Sequence, residues 1–284
     1  MSSSRVELAS LAETIARHGL NARKSLGQHF LLDSNLCTKI ARAAAPLDGL
    51  TVLEIGPGPG GLTRALLASG AKHVVAIERD RRCIAALDEL ARAWPTRLKI
   101  IEGDALKIDA SAHIDGPLKI VANLPYNIGT ALLLGWLSAP ERFVSLTLMF
   151  QKEVAARLTA APGTEHYGRL SVLTQWRCAA RRLFDINAKA FTPPPKVTSA
   201  VVQLIPRGAP LYPAEQAALE RVTAAAFGQR RKMMRAAMKT LVADSEPYLI
   251  DHDVDPRARA ETLDIEHFCA LARGLVQYEV PPGQ

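Results

Sequence analysis

From residue 51 onward the chain alternates short apolar, β-branched runs with stretches of helical pattern. Thr51-Val52-Leu53-Glu54-Ile55 is the first such run. Gly49 precedes it and a glycine cluster closes it, which predicts a strand running into a tight turn. A helix is predicted over 62–68, a buried strand over 74–77 ending at Glu78, and a helix over 81–94 that Pro95 stops. Leu98-Lys99-Ile100-Ile101 reads as a third strand followed by Gly103-Asp104, with a fourth over 118–122 and a fifth over 144–150. Strands alternating with helices predict an α/β domain with a mainly parallel sheet. Ligands of such sheets bind beyond the carboxyl ends of the strands, and Gly56, Glu78, Asp104 and Asn123 all fall there.

Further along, an apolar strand over 197–205 is led by Phe191-Thr192-Pro193-Pro194-Pro195, and Pro206-Arg207-Gly208-Ala209-Pro210 reads as a linker. Beyond it the pattern is helical, over 215–226, 231–241 and 265–276. The expectation is two domains: 1–207, with an N-terminal helical lead-in, and a smaller helical 208–284. No internal repeat or low-complexity stretch interrupts them.

An apolar content of 48% and a charged content of 22% are those of an ordinary globular protein. No apolar run approaches the roughly 18 residues that span a membrane. The first thirty residues lack a signal-type apolar core, and Glu7 and Glu13 argue against a transit peptide. Cys37, Cys83, Cys178 and Cys269 are widely separated, and the histidines are scattered, so neither a disulfide framework nor a metal site is expected. A reducing cytoplasm is the expected location. The net charge of +7 is unevenly placed: residues 150–207 carry nine Lys/Arg against three Asp/Glu, whereas 208–284 carry nine against eleven. A local basic field suits a phosphate-backbone partner, although a solvated basic surface has the same composition.

Residues 121–126 read Val-Ala-Asn-Leu-Pro-Tyr and bring an amide, a proline and an aromatic ring to the end of the fourth strand. These groups suit methylation of an exocyclic amine. The lone pair of an adenine N6 is delocalised into the ring and attacks a methyl donor poorly, and two acceptors facing its N–H groups would localise it. The Asn123 side-chain oxygen and a neighbouring backbone carbonyl can be those acceptors, because Pro125 has no N–H and fixes the chain direction. Tyr126 offers a flat face on which a base can stack. A strand ending in an Asn-x-Pro turn, with Tyr126 in a core, would carry the same four residues.

Gly56-Pro57-Gly58-Pro59-Gly60-Gly61 satisfies the G-x-G-x-x-G pattern of dinucleotide-binding turns. Taken alone it does not separate NAD from a methyl donor, since Glu78 would accept from ribose hydroxyls with either ligand. Three features favour S-adenosylmethionine. Glu54 puts a carboxylate where a pyrophosphate would have to sit, and a cationic sulfonium tolerates that charge better. Asp104 can accept from an adenine amino group, and Asn-Leu-Pro-Tyr has no part in hydride transfer. Each carboxylate could instead cap a helix or close a surface turn.

Six segments follow one another along the chain: Lys24-Ser25-Leu26-Gly27-Gln28-His29-Phe30-Leu31, Glu54-Ile55-Gly56-Pro57-Gly58, Gly103-Asp104-Ala105, Asn123-Leu124-Pro125-Tyr126-Asn127, Tyr167-Gly168-Arg169-Leu170-Ser171 and Phe191-Thr192-Pro193-Pro194-Pro195-Lys196-Val197. In these the chain resembles the ribosomal RNA adenine N6-dimethyltransferases, on their bacterial small-subunit branch. The resemblance implies a Rossmann-like S-adenosylmethionine-dependent methyltransferase domain followed by a small C-terminal helical domain that binds RNA. It implies that His29 and Leu31 line the methionine and ribose side of the cofactor, with Gly56 and Gly58 at the turn. Some members carry Asn where this chain has His29, a change that a backbone contact would survive. Glu78 would hold the ribose, Asp104 the adenine, and Asn123 both cofactor and target amine. Leu124 and Pro125 would supply the carbonyl that polarises N6, and Tyr126 and Phe191 would stack on opposite faces of a flipped adenine.

The resemblance also bears on Arg230, Arg231, Lys232 and Arg235, which fall on one stretch of predicted helix with Lys239 a turn further on. Phosphate binding and a solvated basic face fit them equally, and the resemblance tips the reading toward rRNA. The expected activity is dimethylation of two adjacent adenosines near the 3′ end of small-subunit (16S) rRNA in an assembling 30S particle, by a monomer. Alternatives are an Erm-type enzyme of large-subunit rRNA, a non-catalytic RNA-binding assembly factor, and an NAD-dependent reductase. The basic stretch from Arg230 and the Phe-Thr-Pro-Pro-Pro-Lys loop weigh against the first, and the intact Asn-Leu-Pro-Tyr and Glu78 against the second.

Overall fold

The computed structural model describes residues 9–23, 26–109 and 114–279. Lys24 and Ser25, which open the first of the six segments, lie outside them. Nine strands are present among the described residues: β1 (Phe30–Leu31), β2 (Thr51–Ile55), β3 (His73–Glu78), β4 (Leu98–Glu102), β5 (Leu118–Asn123), β6 (Phe143–Gln151), β7 (Cys178–Ile186), β8 (Phe191–Thr192) and β9 (Ser199–Pro206). Seven of them form one sheet in the order β4-β3-β2-β5-β6-β9-β7. The pairs from β4 through β6 are parallel, whereas β9 returns antiparallel to β6 with Leu146 opposite Leu204. A mainly parallel sheet is what the alternating pattern predicts. β2, β3 and β5 are buried along nearly their whole length, as central strands covered on both faces must be. Each fully buried Val, Leu or Ile there contributes about 1.5–3 kcal/mol.

Helices fill the connections: α1 (Leu11–Arg17), α2 (Ser34–Ala43), α3 (Gly61–Ala68), α4 (Arg81–Ala93) and α5 (Gly129–Leu137). Local chemistry sets their ends. The Asp80 carboxylate accepts from Arg82 N and caps α4, and Asp33 caps α2 by accepting from Asn35 N and Leu36 N. After β2 the chain lays β3 and β4 to one side, then returns to place β5 on the other. The carboxyl ends of β2 and β5 therefore flank a topological switch point, where open α/β sheets bind ligands.

By its internal contacts the chain forms two compact units, one of residues up to 155 plus 181–205, the other of 156–180 plus the residues from 206 on. The first holds these strands, save the start of β7 and the last residue of β9, and a core that joins α2, α3 and α4 to the sheet. The second contains α7 (Arg169–Arg177), reached through α6 (Lys152–Leu158), and then α8 (Gln216–Gly228), α9 (Met234–Ala237), α10 (Ser245–Ile250) and α11 (Ile265–Glu279). Its centre is aromatic: Phe227 lies 6.0 Å from Tyr167 and 5.3 Å from Phe268, ring centre to ring centre. Tyr167 thus draws 156–180 to the C-terminal helices, so the grouping is discontinuous where a single division at 208 was expected.

The helix predicted over 231–241 is reduced to α9 and one 3-10 turn at Met238–Thr240. The reason lies in the backbone: Met234 N and Arg235 N donate to Ala258 O and Pro256 O rather than to an earlier turn of helix. The edge strand β7 escaped notice because Arg181, Arg182 and Asp185 interrupt its apolar pattern, as an exposed edge allows.

Candidate active site

The switch point opens into a cavity of ≈ 220 Å³ walled by the ends of β2, β3, β4 and β5 and by residues 26–31. His29, Leu31, Gly56, Gly58, Glu78, Asp104 and Asn123 all line it, as do Leu124, Pro125 and Tyr126. Two glycines make the close approach possible. Gly58 has φ +57, and a Cβ there would stand 3.1 Å from the Phe30 ring; a Cβ on Gly61 would stand 2.6 Å from Leu31 O. The turn after β2 is thereby pressed against β1.

Glu78 is buried and held by three backbone donors: Gly58 N at 3.0 Å on one oxygen, Arg79 N and Asp80 N at 2.8 Å each on the other. Burial pushes its carboxyl above the ordinary value, and these donors pull it partly back. The oxygen that takes only Gly58 N keeps lone-pair capacity for a ribose hydroxyl. Glu54 is 1% exposed and accepts from Thr63 Oγ1 at 2.7 Å. Burial pushes its carboxyl up to about 8, the Thr63 hydrogen bond works against the rise, and the charge of Glu78 adds to it. With its carboxyl raised in this way, Glu54 is mostly protonated at neutral pH. Asp104 accepts from Leu106 N at 3.1 Å, which closes a local turn, and its other oxygen lies 3.6 Å from Arg79 Nη1.

The Asn123 amide nitrogen donates to His29 O at 3.1 Å, which leaves the side-chain oxygen as its accepting end. Pro125 O already takes Ile128 N at 3.1 Å and Gly129 N at 3.0 Å. Of the two carbonyls expected to polarise an amine, Leu124 is therefore the one that fits and Pro125 is committed to the turn. Tyr126 Oη meets Ser199 Oγ at 2.5 Å, and burial pushes its phenol up, so the ring stays neutral. Ser199 and Thr63 stand in no motif of the sequence, and Gln28 belongs to the first of the six segments without a role expected of it. Gln28 donates to Asp80 at 3.0 Å, and like Ser199 it meets its partner across a long stretch of chain, with no local signal to reveal it.

Two expectations need correction. Phe191 does not line the cavity: it is 2% exposed, pairs with Leu31 across β8 and β1, and packs into the core of the first unit with Val201. Arg230, Arg231, Lys232 and Arg235 do not share a helix face. The first three occupy the turn between α8 and α9. Arg230 donates to Glu165 O yet stays exposed, Arg235 pairs with Glu246 at 3.1 Å, and Arg231, Lys232 and Lys239 are exposed as well.

S-adenosylmethionine fits these residues: a buried acid for a cation, a second acid for ribose, a third on the cavity wall able to accept from an adenine amine, and no cationic side chain for a pyrophosphate on the β2 turn. Comparison with known proteins agrees. Residues 19–277 match the family described as Ribosomal RNA adenine dimethylase. The chain is 61% identical over 269 residues to "Ribosomal RNA small subunit methyltransferase A" of Paramagnetospirillum magneticum, covering 95% of each. Among solved structures it is similar to a dimethyladenosine transferase from Plasmodium falciparum, with a TM-score of 0.73 and 27% identity over 89% of this chain and 99% of that one. It is also similar to the 23S rRNA methyltransferase ErmE, with a TM-score of 0.66 and 27% identity over 87% of this chain and 100% of that one. The chain belongs to the ribosomal RNA adenine dimethylase family.

Proposed function

We propose that this enzyme transfers methyl groups from S-adenosylmethionine to N6 of two adjacent adenosines near the 3′ end of small-subunit rRNA, during assembly of the subunit in the cytoplasm. The observation that carries the reading is the Asn123 clamp: its nitrogen is tied to His29 O, so its oxygen and the Leu124 carbonyl form a pair of acceptors at the end of β5. When bound, S-adenosylmethionine supplies a methyl group on a sulfonium, whose S–C bond breaks as the N–C bond to the adenine forms.

The residues of this chain do the rest. Glu54 balances positive charge, Glu78 and Asp104 seat the nucleoside, and Leu31 and the backbone of residue 29 wall the cavity beside the β2 turn. Asn123 and Leu124 accept from the two N–H groups of the amine and push its lone pair toward the methyl. Tyr126 holds the flipped base by stacking, worth about 1–3 kcal/mol. No side chain is needed as a base, because the alkylated amine is acidic and its proton leaves to water. Alignment of the two reactants is the main device and can supply about 7 kcal/mol or more.

Arg231 and Lys232 of the second unit are exposed cations suited to rRNA phosphates. The small-subunit reading is favoured over the Erm-type one by the 61% identity to a small-subunit enzyme, against 27% to ErmE. The test is a choice of substrate: with labelled cofactor and unmodified subunits of both kinds, label should enter small-subunit rRNA. Label in large-subunit rRNA alone would overturn the assignment.

A further inference from the structure

Residues 26–31 form a strap along the cavity, and His29 sits where three parts of the site meet. Its backbone carbonyl accepts from Asn123 Nδ2 at 3.1 Å. Its ring Nδ1 lies 2.8 Å from Pro193 O; a carbonyl can only accept, so this nitrogen carries a proton and donates it. Its ring centre is 5.6 Å from that of Tyr126, with 31° between the planes. The register that sets Phe30 opposite Thr192 brings His29 beside Pro193. A Cβ on Gly27 would stand 2.8 Å from Asn127 Oδ1, so the strap lies flush against the Asn123–Asn127 turn and has little freedom to slide.

Tyr126 is held at its far end by Ser199. That hydrogen bond fixes where the hydroxyl lies, yet the oxygen sits on the axis about which the ring turns, so rotation of the ring plane leaves the bond intact. The tilted contact with the His29 imidazole lies against this ring and bears on its plane. Phe191 lies in the core and lines no part of the cavity. We propose that His29 is a positioning residue for the target base: its imidazole, held by Pro193, sets the plane on which the flipped adenine stacks. This rests on the methyl-transfer reading of the cavity, and it assigns the His29 side chain to the base rather than to the cofactor.

The test uses the full chain and two substitutions, His29→Ala and His29→Phe, with His29→Gln as a third that can keep a donor toward Pro193 without a ring. Transfer of labelled methyl to unmodified small subunits gives kcat, and titration with S-adenosylmethionine gives the cofactor Kd. His29→Ala and His29→Gln should lower kcat about 10-fold or more, since small misplacements of a reacting group are costly. Both should hold the cofactor Kd within about threefold, and His29→Phe should restore kcat to within about threefold of wild type. Unchanged kcat in His29→Ala overturns the role. So does a loss of cofactor affinity that matches the loss of kcat, or a His29→Phe enzyme as impaired as His29→Ala. A wild-type enzyme that transfers no methyl overturns the functional reading, and the positioning role with it; an active wild type with indifferent variants overturns the role alone.

Discussion

Glu54 yields the sharpest quantitative prediction. Its carboxyl is pushed to about 8 by burial, so in the free protein it is mostly protonated at neutral pH. A cationic cofactor seated beside it would pull its carboxyl down and favour the ionised form, and affinity would then follow the ionised fraction of the free protein. That fraction is roughly 3% at pH 6.5 and 75% at pH 8.5, so the Kd for S-adenosylmethionine should fall about 25-fold across the interval. Calorimetric titration at constant ionic strength, in buffers of different ionisation enthalpy, should also show close to one proton released per cofactor bound at pH 6.5. Glu54→Gln, which keeps an acceptor for Thr63, should bind with little pH dependence and release no proton. The stability of the free protein runs the opposite way with pH. A folded value raised above the unfolded one means that the free protein is favoured by this group below about pH 4.5 and loses that contribution as pH rises through about 8. A flat wild-type profile, or the same slope in Glu54→Gln, would refute the reasoning.

Three other outcomes follow from the geometry. Asn123→Ala removes one of the two acceptors and should lower kcat about 100-fold or more with an unchanged melting temperature, measured by single-turnover transfer and thermal denaturation. Phe191→Ala deletes a core ring and should cost about 3–5 kcal/mol, a fall of roughly 10 °C in Tm for a protein of this size; an unchanged Tm would show that the ring lies outside the core. Replacing Arg231 and Lys232 together by Ala should flatten the dependence of subunit affinity on salt by about one to two charges while leaving the cofactor Kd alone, whereas Arg235→Ala should change it less because Glu246 already holds that cation.

Much of the catalytic unit was legible because its determinants are local. Short apolar runs closed by Gly56, Glu78, Gly103 and Asn123 carry both the strand and its functional end in a few adjacent residues, and the structure brings those ends to one cavity. Contacts that depend on long-range pairing were not legible. Phe191 precedes a proline run and looks like a loop aromatic, but the pairing of β8 with β1 turns it inward. The helix predicted over 231–241 breaks because its amides find partners at 256 and 258, which no helical periodicity reports. The place of 156–180 beside the C-terminal helices is set by Tyr167, whose partner Phe227 is distant in the chain.

The central claim is that the cavity at the end of β5 dimethylates adenine N6 in small-subunit rRNA. Incubating the protein with labelled S-adenosylmethionine and small subunits lacking the modification, then digesting the RNA to nucleosides for mass spectrometry, tests it most directly. The account predicts labelled N6,N6-dimethyladenosine at two adjacent positions near the 3′ end, and its loss in Asn123→Ala. RNA that carries no label, or label only on another base or atom, would contradict it.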